Sequence, residues 1–187
     1  MTNAYIEYYD KYKISPIKQN IEDLEKHFYV REMLYQSLGM PRTHFKDKNI
    51  IEIGPGSGYN AIVTSTFKPK YYQLVDANET GVKEIKELFK KYNLLSDNIK
   101  VDNCFIEEFE SEVKFDVAMC ENMLCCIEKK GDTLNKISDL LAEDGTMIIS
   151  CSDEVSIFYD MSRKLLANIL VQKTKTEEFE DKLDLFE

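Results

Sequence analysis

The chain has 187 residues, 43% of them hydrophobic and 31% charged, enough for one domain with a buried core and too few for two independent ones. No apolar run reaches the about 18 residues of a membrane span, and the start, Met1 to Asp10, is neither basic nor apolar enough for a secretory signal, so the expected place is the cytoplasm. A net charge of -10 with two histidines opposes a nucleic-acid backbone, so the expected partner is a small molecule rather than nucleic acid or a membrane.

In chain order, Tyr5, Tyr8, Tyr9 and Tyr12 recur at three- to four-residue steps and read as one packed aromatic face of a helix. Ile21, Leu24, Phe28, Leu34, Tyr35 and Leu38 keep helical spacing, and Gly39 followed by Pro41 is a stop signal. Residues 1–48 therefore read as a helical cap without strands. Within it His27 and Arg31 are spaced i, i+4 and share a face, while His44 falls in an exposed linker. From Asn49 onward, short β-branched or aliphatic runs alternate with helical patterns. The predicted strands are Ile50 to Ile53, Tyr71 to Val75, Ile99 to Val101, Phe115 to Met119 and Thr146 to Cys151. The predicted helices are Tyr59 to Thr66, Glu79 to Tyr92, Gly131 to Leu141 and Glu154 to Val171. Glu143-Asp144-Gly145 reads as the turn before the fifth strand. This alternation predicts a doubly wound, Rossmann-like α/β core over residues 49–172 with a mainly parallel sheet, followed by a tail, 173–187, in which Phe179, Leu183 and Phe186 keep helical spacing. The Lys68, Lys70, Lys90 and Lys91 cluster reads as solvated helix surface.

The segment richest in chemistry runs from Ile50 to Asn60: a buried strand, a glycine-rich turn and a helix start. Gly54, Gly56 and Gly58 allow a sharp bend and close approach to a ligand. The nicotinamide fingerprint needs Gly or Ala where this chain has Tyr59, and the Gly-Lys-Ser/Thr of a P-loop is missing. What stands here is Glu52 two residues before Gly54, and Asp76 22 residues after it, the spacing of a carboxylate that ends the second strand and accepts ribose hydroxyls. Five cysteines, Cys125 and Cys126 adjacent, fit neither a disulfide framework nor zinc knuckles, so they read as reduced thiols, the adjacent pair as small buried hydrophobes.

Over Lys48 to Ile149 these motifs resemble the class I S-adenosylmethionine (SAM)-dependent methyltransferases. The resemblance implies strand order 3-2-1-4-5. It assigns Glu52, Gly54, Gly56 and Gly58 to the methionyl part of SAM, Asp76 to its ribose, and Asn103, Cys104 and Phe105 to its adenine, with Cys104 standing where the family has an acid. The carboxyl end of the fourth strand brings Cys120, Glu121 and Asn122 beside the methyl group, whereas Asp116 lies at the opposite end and is structural. Cys125-Cys126 stand where small-molecule methyltransferases often have Glu-His. The cap is similar to that of methyltransferases of bacterial surface-polysaccharide and secondary-metabolite pathways.

Together these features predict methyl transfer from SAM, leaving S-adenosylhomocysteine (SAH), to a small polar anionic acceptor. Arg31 is its expected anchor and His27 or Glu121 the base, with oxygen favoured as the nucleophile. No metal is expected. The alternatives are a catalytically silent SAM-binding partner module and a methyltransferase of protein or RNA. The family sheet has seven strands and five are found before Glu154. The chain is therefore expected to be the N-terminal part of a longer protein, with a further domain or partner covering the edge of the fifth strand.

Overall fold

The structure, a computed structural model, describes residues 4–15, 19 and 21–174. Phe179, Leu183 and Phe186 lie outside the described residues. The residues divide into two compact units, one up to Ser150 and one from Cys151.

Five strands form the sheet of the first unit: β1 Asn49–Ile53, β2 Tyr71–Val75, β3 Ile99–Asp102, β4 Phe115–Cys120 and β5 Leu141–Ile149. Their order is β3-β2-β1-β4-β5 and every pairing is parallel, as the alternation of strand and helix patterns requires. Along β1 the side chains alternate: Ile50 packs with Ile62, Tyr72 and Phe89 on one face, while Ile51 and Ile53 pack with Phe115, Ile137 and Leu140 on the other. Both faces are buried, so from Ile50 to Ile53 the strand is apolar on both sides except at Glu52. Between the strands lie α3 (Ala61–Ser65), α4 (Glu79–Lys91) and α5 (Lys130–Leu140), preceded by α1 (Ala4–Tyr12) and α2 (Leu24–Ser37). α4 shows why such a segment is helical. Asn78 caps it by accepting the Thr80 N–H at 3.0 Å, Glu79 and the Lys90-Lys91 pair suit the two ends of its dipole, and Val82, Ile85 and Phe89 form its buried stripe.

Three expectations are corrected. α2 runs where its spacing predicted, and Gly39, with φ 77°, ends it through Gly39 N–H to Gln36 and Met40 N–H to Tyr35. Its inner face, however, carries Leu24, Phe28, Arg31 and Tyr35, whereas Leu34 and Leu38 are 41% and 57% exposed. The row 24, 28, 31, 35 is the one that stays on a single side of a straight helix. On α1 no residue is buried; instead of packing as one face, Tyr5 and Tyr9 border a cavity. β5 starts directly after α5 rather than at Thr146: Phe115 pairs with Leu141 and Val117 with Thr146, so Ala142 to Gly145 loop out of the ladder as a bulge. Gly145 is needed there because a Cβ would lie 2.9 Å from the Ala142 carbonyl oxygen.

The second unit is a single described helix, α6 (Glu154–Thr174). Asp153 caps it, accepting the Ser156 N–H at 2.8 Å. None of its residues is buried, and Val155, Phe158, Tyr159 and Leu165 are 62–70% exposed. No described helix is long and apolar enough to cross a membrane.

Candidate functional site

At the carboxyl ends of the strands the chain leaves β1 through a turn in which Gly54, Gly56 and Gly58 all adopt positive φ, 68°, 58° and 81°. Two of these positions are also closed by sterics. A Cβ on Gly54 would lie 2.5 Å from the Met123 sulfur, and one on Gly58 would lie 3.0 Å from Ile85 of α4. The turn is tied to the next strand twice, by Gly54 N–H to the Val75 carbonyl at 2.9 Å and by Gly56 N–H to Oδ2 of Asp76 at 2.8 Å. Oδ1 of Asp76 accepts the Asn78 N–H at 2.8 Å. Each carboxylate oxygen thus keeps a lone pair for a ligand. Burial raises the Asp76 pKa from 3.8 to about 6, against the lowering effect of those two N–H groups.

A cavity of about 450 Å³, within the range of small-molecule sites, opens over this turn and is bordered by Gly54, Gly56, Asp76 and Ala77. Cys104, Phe105, Ile106 and Glu107 wall one end. The first turn of α5 sits beside that wall, since Thr133 donates to Glu107 at 2.7 Å, and it brings Lys129 and Asp132 to the same end. Glu121, Met123, Cys126, Tyr59 and, from α1, Tyr5 and Tyr9 complete the lining.

β1 and β4 are neighbours across the point where the strand order reverses, with Glu52 beside Met119 in the register; two residues further on, Gly54 and Glu121 flank the switch point. Glu121 is held from α2. Arg31 Nη2 donates to both its carboxylate oxygens at 2.7 and 2.8 Å, and the Tyr35 hydroxyl donates to Oε1 at 2.8 Å while accepting from Arg31 at 2.5 Å. Arg31 and Glu121 side chains are 11% and 14% exposed. Burial together with the Glu121 charge pushes the Tyr35 hydroxyl far above its ordinary range, so it stays a donor. Beneath this trio lies Glu52, buried, accepting a short hydrogen bond from Tyr72. Desolvation raises its pKa from 4.5 to about 7 although Tyr72 opposes the shift.

The residues read from sequence divide accordingly. Gly54, Gly56, Asp76, Cys104, Phe105 and Glu121 border the cavity. Glu52 lies under its floor rather than on its wall, because the pleat that points Ile51 and Ile53 to one face points Glu52 to the other, toward Tyr72. Gly58 packs on α4, and Asn103 turns its amide back onto the Asp76 carbonyl at 2.9 Å. Cys120 is fully buried in the core beside Ala118 and Leu124 and does not border the cavity. Cys125 is exposed and Cys126 half-buried at the cavity wall, not core, because they sit on a short 3-10 turn after β4. Asp116 accepts the Asn49 N–H at 2.8 Å at the amino end of the sheet. His27 Nε2 donates to the Tyr59 carbonyl at 2.8 Å, pinning α2 to the residue after the glycine turn, and His27 is not on the cavity wall. The sequence reading missed Tyr35 as the hydroxyl that orients Glu121, and Tyr5, Tyr9 and Asn78 as cavity residues. Asn78 alone left a trace, as the Asn before a helical pattern. No cluster of metal-binding side chains exists among the described residues.

A parallel sheet in this order, with a left-handed glycine turn after β1 and an acid ending β2, defines a Rossmann-like methyltransferase core. The chain belongs to the methyltransferase domain family, whose model matches residues 25–179. No curated protein matches the sequence. Among solved structures it is similar to precorrin 8w decarboxylase from Methanobacterium thermoautotrophicum, with 16% identity, 81% of this chain and 74% of that one covered, and a TM-score of 0.56. It is also similar to coclaurine N-methyltransferase bound to N-methylheliamine and SAH, with 16% identity, coverages of 73% and 39%, and a TM-score of 0.56. A SAM-dependent methyltransferase from Mesorhizobium loti shares 15% identity, coverages of 64% and 52%, and a TM-score of 0.52. These likenesses are of fold, and this chain spans about half or less of the last two proteins.

Proposed function

We propose that the cavity binds SAM and that the chain transfers its methyl group to a small acceptor. The observation that carries this is the pairing of the glycine turn with Asp76. A backbone surface where a Cβ would collide with Met123 lies next to a buried carboxylate whose remaining lone pairs suit a diol. SAM suits such a site chemically: it has no phosphate to cradle, and it carries a cationic sulfonium that supplies an activated methyl group. The protein's part is to hold that methyl and the acceptor at attack distance and to exclude water. Support for adenine contacts comes from Phe105, the ring beside Cys104 at the cavity end.

The expected anionic oxygen acceptor finds less support. Arg31, its proposed anchor, spends Nη2 on Glu121 and Tyr35 and does not border the cavity. As proposed bases, His27 has Nε2 committed to Tyr59 and Glu121 has accepted three hydrogen bonds. Calorimetric titration of SAM and SAH into the protein, with NAD and ATP as controls, tests the cofactor reading. Tight binding of the first two only is expected. No heat with SAH, or equal heat with NAD, would overturn it.

A further inference from the structure

The geometry points to an amine as the methyl acceptor: a small molecule that presents a basic nitrogen to Glu121 and an apolar or aromatic body to the tyrosines of α1. This rests on the cofactor reading above and goes on to the other half of the cavity. The glycine turn, Asp76 and the wall from Cys104 to Glu107 account for one side. The lining as a whole carries five carboxylates, Asp76, Glu107, Glu121, Glu128 and Asp132, against one lysine, Lys129, and it includes the rings of Tyr5, Tyr9 and Tyr59. An anionic acceptor would meet mainly carboxylates there, whereas a cation would meet carboxylates and aromatic faces.

Glu121 is prepared for one further donor. A carboxylate offers about four lone-pair sites; Arg31 Nη2 shares its two hydrogens among Tyr35 and both Glu121 oxygens, and Tyr35 donates to Oε1, so Oε2 is the less occupied of the two. The free site on Oε2 belongs to a side chain on the cavity wall. Arg31 and Tyr35 fix the Glu121 carboxylate in place as an acceptor on the wall. The two kinds of nucleophile differ in what they require. A hydroxyl must lose a proton as it attacks and needs a base. A basic amine arrives as its ammonium and gives one proton to water before it reacts, so no protein base is needed at the moment of attack: the freed lone pair forms the N–C bond, the C–S bond breaks with its electron pair left on sulfur, and the positive charge passes from sulfur to nitrogen. The resulting ammonium gives its proton to water after release. A carboxylate held beside the nitrogen stabilises the charge that grows there.

The test uses three probes of one shape, phenethylamine, 2-phenylethanol and 3-phenylpropionate, titrated into the full chain with and without SAH and followed by calorimetry. Phenethylamine is expected to bind about tenfold tighter than the carboxylate, and Glu121→Gln to shrink that ratio to about threefold or less. Should the variant fail to fold, added salt decides on the wild-type protein, where the amine preference must fall as ionic strength rises. Equal or tighter binding of 3-phenylpropionate, a preference that survives Glu121→Gln, or one indifferent to salt would overturn the inference. SAH binding without an amine preference sinks this inference alone, and an amine preference without SAH binding sinks the cofactor reading alone.

Discussion

Two carboxylates face one another across the cavity, each at the carboxyl end of a strand flanking β1, and they are held in opposite ways. Asp76, after β2, is fixed by backbone N–H groups of Gly56 and Asn78, its own strand-turn-helix neighbourhood. Glu121, after β4, is fixed by side chains of Arg31 and Tyr35, which arrive from a helix 86 to 90 residues away in the chain. The first is a carboxylate with no cation beside it, and its pKa rises to about 6; the second has its charge answered by a guanidinium. One end of the site is thus a property of local backbone geometry, and the other a property of how the cap docks on the sheet.

Breaking the docked end has the largest expected effect. Arg31→Ala leaves Glu121 beside the buried Glu52 without its cation, and removing one partner of a mostly buried pair costs about 3 kcal/mol or more. Thermal unfolding is expected to show a loss of several degrees. Replacing both partners, Arg31→Met with Glu121→Leu, should recover most of it, since the unanswered charge goes too. A single Arg31→Ala variant that melts with the wild type would show that the pair is ornamental to the fold.

This asymmetry also explains what the sequence revealed. The strand and helix segments, the glycine turn and Asp76 were legible because each lies within one βαβ unit or one element, Gly54 to Asp76 spanning 22 residues, whereas the sheet order came only with the family resemblance. Arg31 and Glu121 were both singled out, but given to the acceptor rather than to each other, because pairing across the molecule leaves no spacing signal. Tyr35 was taken for an ordinary member of an apolar stripe, since a tyrosine's hydroxyl is silent in a periodicity count. Cys120 was placed beside the ligand because at the end of a strand one residue decides between core and cavity, and the pleat's phase at that point depends on the partner strand.

Glu52 sharpens the comparison from below. Its folded pKa of about 7 exceeds its ordinary 4.5, so between those values the native chain holds a proton that the unfolded chain has released. Stability therefore falls as pH rises through that window and is lowest above it. Asp76 adds a similar fall between 3.8 and about 6. Glu52→Gln keeps an acceptor for Tyr72 and cannot ionise. At pH 8 it is expected to be more stable than the wild type by up to about 3 kcal/mol, and near pH 4.5 the two should converge. Denaturant unfolding at both pH values checks this; a Gln variant that is less stable at pH 8 would assign Glu52 a task for its charge.

At the backbone-held end the expected effect is on ligand affinity. Asp76→Ala removes hydrogen bonds to a charged acceptor and should weaken SAH by about 1.5–3 kcal/mol. Because a diol prefers the ionised form, binding lowers the Asp76 pKa from about 6, so protons are released on binding and affinity falls as pH drops below 6. Calorimetry in two buffers of different ionisation heat reads that release directly, and an affinity flat from pH 5 to 8 would place the diol elsewhere.

The smallest expected effect belongs to His27, whose ring ties α2 to Tyr59, the residue that follows the glycine turn. The Tyr59 carbonyl can only accept, so Nε2 of His27 carries the proton in this 2.8 Å bond. The ring lies at the end of α2 remote from Tyr35, so its loss leaves the Arg31–Glu121 pair in place. His27→Ala gives up one half-buried hydrogen bond, and a backbone carbonyl that water can still reach is not left stranded. The cost is about 1 kcal/mol of stability, smaller than that of Arg31→Ala although the two residues are one helical turn apart. His27→Gln, which can donate to the same carbonyl, should recover part of it. The sharper reading is methyl transfer per folded molecule. A tether of the cap changes it little, whereas a proton acceptor is indispensable; a collapse of turnover in a His27→Ala protein that melts normally and binds SAH would return His27 to the chemistry and count against an amine acceptor.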